Sequence, residues 1–229
     1  MAKNPVSSND DSEKAASYSV DSISDLIVNR IETGVYRQGD QLIARTIAQE
    51  LGTSIAPVRE ALNRLKGEGL VEFFSNRSAR VKELSDKELL DSLEVWQANA
   101  MLQVRLAAQR AGIRDNAERM RKSWRKIRSA GMRDDRLKFL QRVKEFSNLL
   151  KEICDNAYLD RVEKVVHTEL WSRNVVDAIE DKDWIPYVEG FCAVGEAVIA
   201  GDQKAAEKAY ANHLQRFTGH VLRKMARDK

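Results

Sequence analysis

The chain has 229 residues, of which 43% are hydrophobic and 32% charged, and its formal net charge is +3. This apolar content is enough for a packed core and excludes a globally disordered protein. With 3 Pro and 11 Gly the chain is poor in turn residues, which argues against an all-β sandwich and favours long helices. No apolar run reaches about 18 residues, so we expect no membrane span. Cys154 and Cys192 are the only cysteines, which indicates reduced thiols and a cytoplasmic location.

Charge is distributed unevenly along the chain. Residues 105–144 contain 14 Lys or Arg against 4 Asp or Glu, whereas residues 155–196 contain 4 against 10. Charge alone would place a nucleic-acid site in the first of these segments. Within it, however, three apolar residues recur at helical spacing and form one stripe: Met120, Trp124 and Ile127. We therefore interpret the basic run 114–128 as the solvated face of a surface helix that pairs with acidic neighbours.

The first third of the chain has the pattern of a small DNA-binding unit. Residues 1–19 are polar and lack a hydrophobic period, so we expect a disordered leader there. Three amphipathic helices and two short β-like runs follow, at residues 20–34, 43–51, 54–67, 70–74 and 79–81. The apolar face of the second helix comprises Ile43, Ile47, Ala48 and Leu51. This order predicts a winged helix-turn-helix, in which the third helix enters a DNA major groove that is about 12 Å wide.

Four stretches between Ile31 and Val81 resemble the DNA-binding domain of the GntR family: IETGVYRQGDQL, IAQELGTS, APVREALNRLKGEGLVE and NRSARV. They occur in the order that the family shows, and the third is long. The resemblance implies a winged helix-turn-helix that binds double-stranded operator DNA. It also implies which residues contact the DNA, namely Arg45, Ser54, Ile55, Ala56, Arg59 and Arg77.

Two positions depart from the family pattern. Ile55 stands where the family usually has Arg, and Ser78 stands where the wing usually has Gly. The first change removes a donor to a base edge, although an apolar side chain at that position can contact a thymine methyl group. Arg59 also has a second interpretation, as an ordinary helix charge paired with Glu60 or Glu68.

From Ser85 onward the sequence is helical throughout. Ser85 and Glu88 have the spacing of a capping box. Further helices fit residues of about 114–130, 134–155, 157–180, 184–200 and 203–226. We predict a mainly α protein, with an N-terminal winged helix-turn-helix domain over residues 20–84. An all-α bundle of six or seven helices, the effector domain, is expected over residues 85–229.

Three stretches of this second part resemble the FCD-type ligand-binding domain of the FadR subfamily: ELLDSLEVWQANAMLQVRLAAQRA, EFSNLLKEICDNAYL and EAVIAGDQKAAEKAYANHL. Many such domains bind a divalent metal through an Asp and a His four residues apart and two later His. Here those four positions are Val143, Ser147, Phe191 and His213. One imidazole without further strong donors cannot hold a divalent ion, so we expect no metal and no cofactor.

The same positions are expected to line an apolar pocket for a small organic effector, such as an aromatic or acyl compound. The candidate residues of this pocket are Val143, Ser147, Asn148, Trp171, Arg173, Phe191 and His213. Among them, Arg173 has the fork of donors that can hold a carboxylate. In the alternative interpretation, Phe191 fills the cavity and leaves no ligand site, because protein interiors are close-packed.

The chain contains no nucleophile motif, P-loop, GxGxxG or HExxH, so we do not expect an enzyme. The resemblance implies a transcriptional regulator in the cytoplasm, at the bacterial nucleoid, with repression relieved by a small effector. We expect a homodimer, since a single recognition helix reads too few base pairs for specificity. The alternative function is a helical interaction scaffold, or a small-molecule-binding protein, without operator specificity.

Overall fold

A computed structural model of the protein describes residues 18–74 and 78–227. The N-terminal part of the described chain contains three helices and three short strands: α1 Val20–Glu32, β1 Gln41–Leu42, α2 Ala44–Leu51, α3 Ile55–Gly67, β2 Val71–Phe73 and β3 Ala79–Val81. The strands form an antiparallel sheet in the order β1-β3-β2. This arrangement confirms the predicted winged helix-turn-helix. Residues 1–17 of the predicted leader lie outside the described part of the chain.

Two details of this part differ from the sequence-based expectation. β1 was not predicted, because a strand of two residues shows no alternation and its pairing with β3 is a long-range contact. The placement of Ile43 on the buried face of α2 is wrong, since Ile43 is 55% exposed. It occupies the N-cap position in an extended conformation and so lies outside the helical period. Ile47 and Ala48 are buried as expected.

The turn between α2 and α3 fixes where the third helix begins. Gly52 ends α2 with a φ of 63°, a left-handed conformation that a residue without Cβ adopts at little cost. Ser54 then takes the N-cap position of α3, although its side chain makes no capping hydrogen bond in the described structure. Val58, Leu62 and Leu65 bury one face of α3 in the core of the small domain. The opposite face of the helix is therefore left for solvent or a partner.

The C-terminal part contains seven helices within the described residues: α4 Asp86–Gln109, α5 Asn116–Met132, α6 Arg136–Cys154, α7 Ala157–Val166, α8 Thr168–Asp177, α9 Asp181–Ile199 and α10 Gln203–Arg227. This confirms the predicted all-α bundle. The capping box is also confirmed, since Ser85 accepts from the backbone N–H of Glu88 and the Glu88 carboxylate accepts from that of Ser85. None of the described helices has the length and apolar content needed to cross a lipid bilayer.

The predicted helix 157–180 is two helices. The chain breaks at His167, whose φ of 49° is left-handed, and α8 then runs in a new direction as far as Asp177. The sequence gives no signal for this break because neither Gly nor Pro stands near it. The break turns α8 toward the winged domain.

The basic segment 114–128 lies mostly on α5, as an amphipathic helix. The predicted stripe is buried, namely Met120, Trp124 and Ile127. Several of the arginines are paired with acids: Glu118 contacts Arg121 and Arg125, and Arg119 contacts Glu152. The structure thus confirms the interpretation of this segment as a surface helix with acidic neighbours.

Candidate DNA interface and effector site

The predicted DNA-contacting residues of α3 share one surface. Ser54, Ala56 and Arg59 are exposed, and Ile55 is half-buried at the start of the helix. By the helical period, Ala56 lies opposite the buried face of α3 and Arg59 lies to one side of it, whereas Ile55 packs against the core of the winged domain. The N-terminal half of α3 is thus presented outward, as a recognition helix requires.

Arg45 lies in the first turn of α2 and is also exposed. Within residues 18–74 and 78–227, neither Arg45 nor Arg59 makes an ion pair. Glu68, which the alternative interpretation assigned to Arg59, is instead paired with Arg64 at 3.0 Å. Two guanidinium groups without acidic partners are therefore available to an anion at the start of α2 and of α3.

The wing is formed by β2 and β3. Arg80 of β3 contacts Glu72 of β2 and lies over the Phe74 ring at 4.0 Å, so the base of the hairpin is fixed. Arg77, predicted to contact DNA from the wing tip, lies outside the described residues, as do Ser75 and Asn76.

The residues proposed for the effector pocket do not form a single group. Phe191 of α9 packs with its ring centroid 5.2 Å from those of both Trp124 and His213. Val143 of α6 is half-buried against the same core. Phe191 thus occupies space between aromatic rings from α5 and α10. This is the packing that the alternative interpretation of Phe191 describes.

His213 is a buried polar group without a partner. It is 5% exposed, and its Nδ1 makes no hydrogen bond within the described structure. Burial lowers the pKa of His213 to about 3, with a smaller contribution from the Arg216 charge, so the ring is neutral at pH 7. It borders a groove of about 340 Å³ between α9 and α10, beside Gly190. An unpaired ring nitrogen next to such a groove can bond to water or a ligand.

Ser147 belongs to a different cluster, around the carboxylate of Glu163 on α7. Ser147 Oγ donates to Glu163 Oε1 at 3.3 Å, and Gln103 Nε2 donates to the same oxygen at 2.8 Å. Lys151 Nζ donates to Glu163 Oε2 at 2.8 Å. Burial acts to lower the pKa of Lys151, but the carboxylates of Glu163 and Asp160 together outweigh it, so the pKa is raised. Sequence reasoning missed Gln103, Lys151 and Glu163, because residues up to 60 positions apart meet here.

The other three candidates lie elsewhere. Asn148 is exposed. Trp171 is buried, and its Nε1 donates to the Val166 carbonyl at 3.0 Å. It borders a cleft of about 770 Å³ between the two domains. Arg173 is paired with Asp177 at 2.7 Å and reaches toward the winged domain.

The positions at which the FCD resemblance implies metal ligands do not fit a divalent ion. The only ligand of the usual types among them is His213, and Phe191 packs directly against its ring. The described residues contain no group of three or more His, Cys, Asp or Glu arranged to hold a metal. A hydroxyl and two hydrocarbon side chains cannot supply the missing donors.

Helix α8 joins the helical bundle to the winged domain. Leu170 of α8 is 4% exposed and belongs to the hydrophobic core of the winged domain. The Gln38 side chain donates to the Leu170 carbonyl at 2.8 Å and accepts from the Leu84 backbone N–H at 2.8 Å. An ion pair between Lys144 and Glu32 joins α6 to α1. No sequence pattern marks these contacts, which set the position of the recognition helix relative to the bundle.

Comparisons with known proteins agree with this architecture. Residues 19–81 match the family of bacterial regulatory proteins named gntR, and residues 94–216 match the FCD domain. The chain belongs to the GntR family of regulators, with an FCD domain. It is therefore a DNA-binding transcriptional regulator and not an enzyme.

This GntR-family chain is 29% identical over 198 residues to a probable D-xylose utilization operon transcriptional repressor of Paenarthrobacter nicotinovorans, covering 85% of each protein. Its fold is similar to that of E. coli McbR/YncC, with a TM-score of 0.78 at 19% identity, covering 90% of this chain and 98% of the other. A GntR regulator from Rhodococcus sp. RHA1 has a TM-score of 0.70 at 18% identity, with coverage of 88% and 97%. At these identities the structural likenesses establish the fold alone.

Proposed function

We propose that this GntR-family regulator is a homodimeric repressor that binds a two-fold symmetric operator and is released by a small organic effector. The observation that carries the DNA-binding half is the exposed N-terminal face of α3. There Arg59 has no acidic partner within the described residues, and Arg45 is likewise exposed in the first turn of α2. The sign of regulation is supported by the P. nicotinovorans relative, which is named as a repressor. The regulator would act in the cytoplasm, at the nucleoid.

We expect a dimer because of how recognition helices contact operator DNA. One recognition helix contacts a few base pairs, whereas a two-fold dimer reads two half-sites about one helical turn apart. The helical domain is the proposed site of self-association, because the winged domain is small. A monomeric mass at micromolar concentration in light scattering would contradict this part of the proposal.

Selection of DNA fragments from a random pool by the purified protein tests the operator assignment. The proposal predicts enrichment of an inverted repeat with half-sites about 10 base pairs apart. The interaction-scaffold alternative predicts no enriched sequence, and only weak binding that disappears as salt rises. Selection is repeated at two salt concentrations so that the two outcomes differ clearly.

The effector is proposed to be an organic molecule with an aromatic or acyl group, bound in the helical domain without a metal. The hydrocarbon side chains at two of the four family metal positions, Val143 and Phe191, support this. Elemental analysis of purified protein should find no stoichiometric zinc, nickel or manganese, and a bound metal that His213→Ala removes would refute the metal-free site. A ligand that raises the melting temperature of the wild type should lose that effect in Phe191→Ala. An unchanged shift would place the site elsewhere.

A further inference from the structure

The carboxylate of Glu163 is bound by three donors inside the helical domain. Gln103 comes from α4, Ser147 and Lys151 come from α6, and Glu163 itself comes from α7. Gln103 is 3% exposed, and the side chains of Lys151 and Glu163 are both largely buried. The Glu163 charge also contributes to a raised pKa of Tyr210 on α10, after burial and Tyr187. The cluster therefore lies among α4, α6, α7 and α10.

This arrangement has the composition of a carboxylate-binding site. A neutral amide N–H₂, a hydroxyl and an ammonium group converge on the two oxygens of one carboxylate, and such charge-assisted bonds are strong when partly shielded from water. Burying these groups without a partner would be costly, so the site requires an anion. Glu163 supplies that anion from within the chain.

We propose that Gln103, Ser147 and Lys151 form the head-group site for an organic carboxylate effector, and that Glu163 occupies this site until the effector displaces it. The inference rests on the proposed function, in which the helical domain binds an effector, and it names the chemical class of that effector. Val143 lies one helical turn before Ser147 on α6 and packs against the apolar core of the bundle, so an aromatic or acyl body would extend from the cluster toward that core. The released Glu163 carboxylate moves to solvent.

Displacement of Glu163 has a direct route to the DNA-binding domain. Glu163 lies on α7, four residues before the left-handed break at His167. Beyond that break, α8 inserts Leu170 into the core of the winged domain and bonds to Gln38. Release of α7 from α4 and α6 thus loosens the helix that holds the winged domain in place. Loss of that fixed position weakens simultaneous binding of two operator half-sites.

The test uses acetate and benzoate as probes on the Glu163→Ala variant, in which the donors are kept and the internal carboxylate is removed. At about ten times its dissociation constant a probe should raise the melting temperature of this variant by about 3–6 °C. Acetamide, and sodium chloride at the same ionic strength, should not. The shift should disappear when Gln103→Leu is added. The absence of any shift beyond the chloride control would overturn the proposal.

Asp160→Ala is the matched control, since Asp160 also lies on α7 and contacts Lys151 but bonds to neither Gln103 nor Ser147. Its response to acetate should equal that of the wild type. Should Glu163→Ala not fold, Glu163→Gln replaces it, because a neutral amide competes less for Lys151. Acetate should bind Glu163→Gln at least tenfold more tightly than the wild type, and equal affinities would overturn the proposal.

Operator binding provides the second readout. Glu163→Ala should bind the operator at least tenfold more weakly than the wild type, with unchanged affinity for random DNA, because the recognition helix itself is intact. Asp160→Ala should bind the operator as the wild type does. If the variant binds carboxylates but its operator affinity is unchanged, the proposed carboxylate site stands and the proposed route through α8 is wrong. A protein that selects no operator but still shows the acetate shift would refute the repressor function and not the site.

Discussion

Gln38 of the winged domain donates a hydrogen bond from its side-chain amide to the backbone carbonyl of Leu170 on α8, at 2.8 Å. The same amide accepts from the backbone N–H of Leu84, where the chain passes from one domain to the other. One side chain therefore bonds to both the connecting segment and the helix that contacts the winged domain. Gln38 is half-buried, so leaving its amide unpaired would be costly, and the two bonds hold the domains in their relative position.

Leu170→Ala should destabilise the winged domain although Leu170 lies in the other domain. Removing a buried Leu costs about 2–5 kcal/mol, and the cavity would open in the core around α1 and α3. Hydrogen exchange resolved by residue should show faster exchange in α1 and α3 than in α9. Val165→Ala is the control, since Val165 is 73% exposed on α7. Equal loss of protection in all helices would contradict the assignment of Leu170 to the winged-domain core.

Gly195→Ala should destabilise the helical bundle. A methyl group at this position of α9 would overlap the indole ring of Trp124, which is itself buried. Overpacking of this kind costs about 1–3 kcal/mol. Gly67→Ala, on the exposed end of α3, meets no atom within 4 Å and should be neutral or stabilising. Urea unfolding of both variants measures the difference, and a Gly195→Ala variant as stable as the wild type would contradict the packing.

The stability of the protein should fall in mild acid, partly through His213. Burial depresses the pKa of His213 to about 3, against an ordinary value of 6.5. The unfolded chain therefore takes up a proton at His213 below pH 6.5 that the folded chain does not. The stability that neutral His213 contributes is fully present above pH 6.5 and is lost progressively as the pH falls toward the folded-state pKa. Between pH 7 and pH 5 the free energy of unfolding falls by about 2 kcal/mol through this group.

Comparison with His213→Leu separates the contribution of His213 from those of the carboxylates and of the other histidines. The free energy of unfolding of the wild type should lose about 2 kcal/mol more than that of the variant between pH 7 and 5. Urea titrations at the two pH values provide the measurement. Equal losses would mean that His213 is protonated as easily in the folded protein as in the unfolded chain.

Local patterns predicted much of this fold. The capping box of Ser85 and Glu88, the apolar stripe of α5 and the three helices of the winged domain are each specified by residues close together in the sequence. The same kind of pattern failed at Ile43, where one apolar residue outside the helix fits the helical period by chance. It also failed at His167, where the helix breaks at a left-handed residue although neither Gly nor Pro stands there.

The candidate sites show the same contrast between residues that a local pattern predicts and residues that only long-range contacts bring together. The exposed position of Arg59 follows from the helical period of α3, so a motif was enough to find it. The contacts of Glu163 with Gln103, and of Leu170 with Gln38, join residues 60 and 132 positions apart. Arg173 was predicted to bind an effector carboxylate through its guanidinium group, yet it pairs with Asp177 near the winged domain. Such placements depend on how helices pack, which spacing along one helix cannot specify.

Whether the face of α3 reads an operator is tested most directly by the operator affinity of Arg59→Ala and Arg45→Ala, measured by fluorescence anisotropy. Arg64→Ala is the control, because Arg64 lies on the same helix but is held by Asp21 and Glu68. We expect a loss of about 1–3 kcal/mol in operator binding for each of the first two variants and no loss for the control. Wild-type affinity in all three variants, with unchanged circular dichroism, would contradict it.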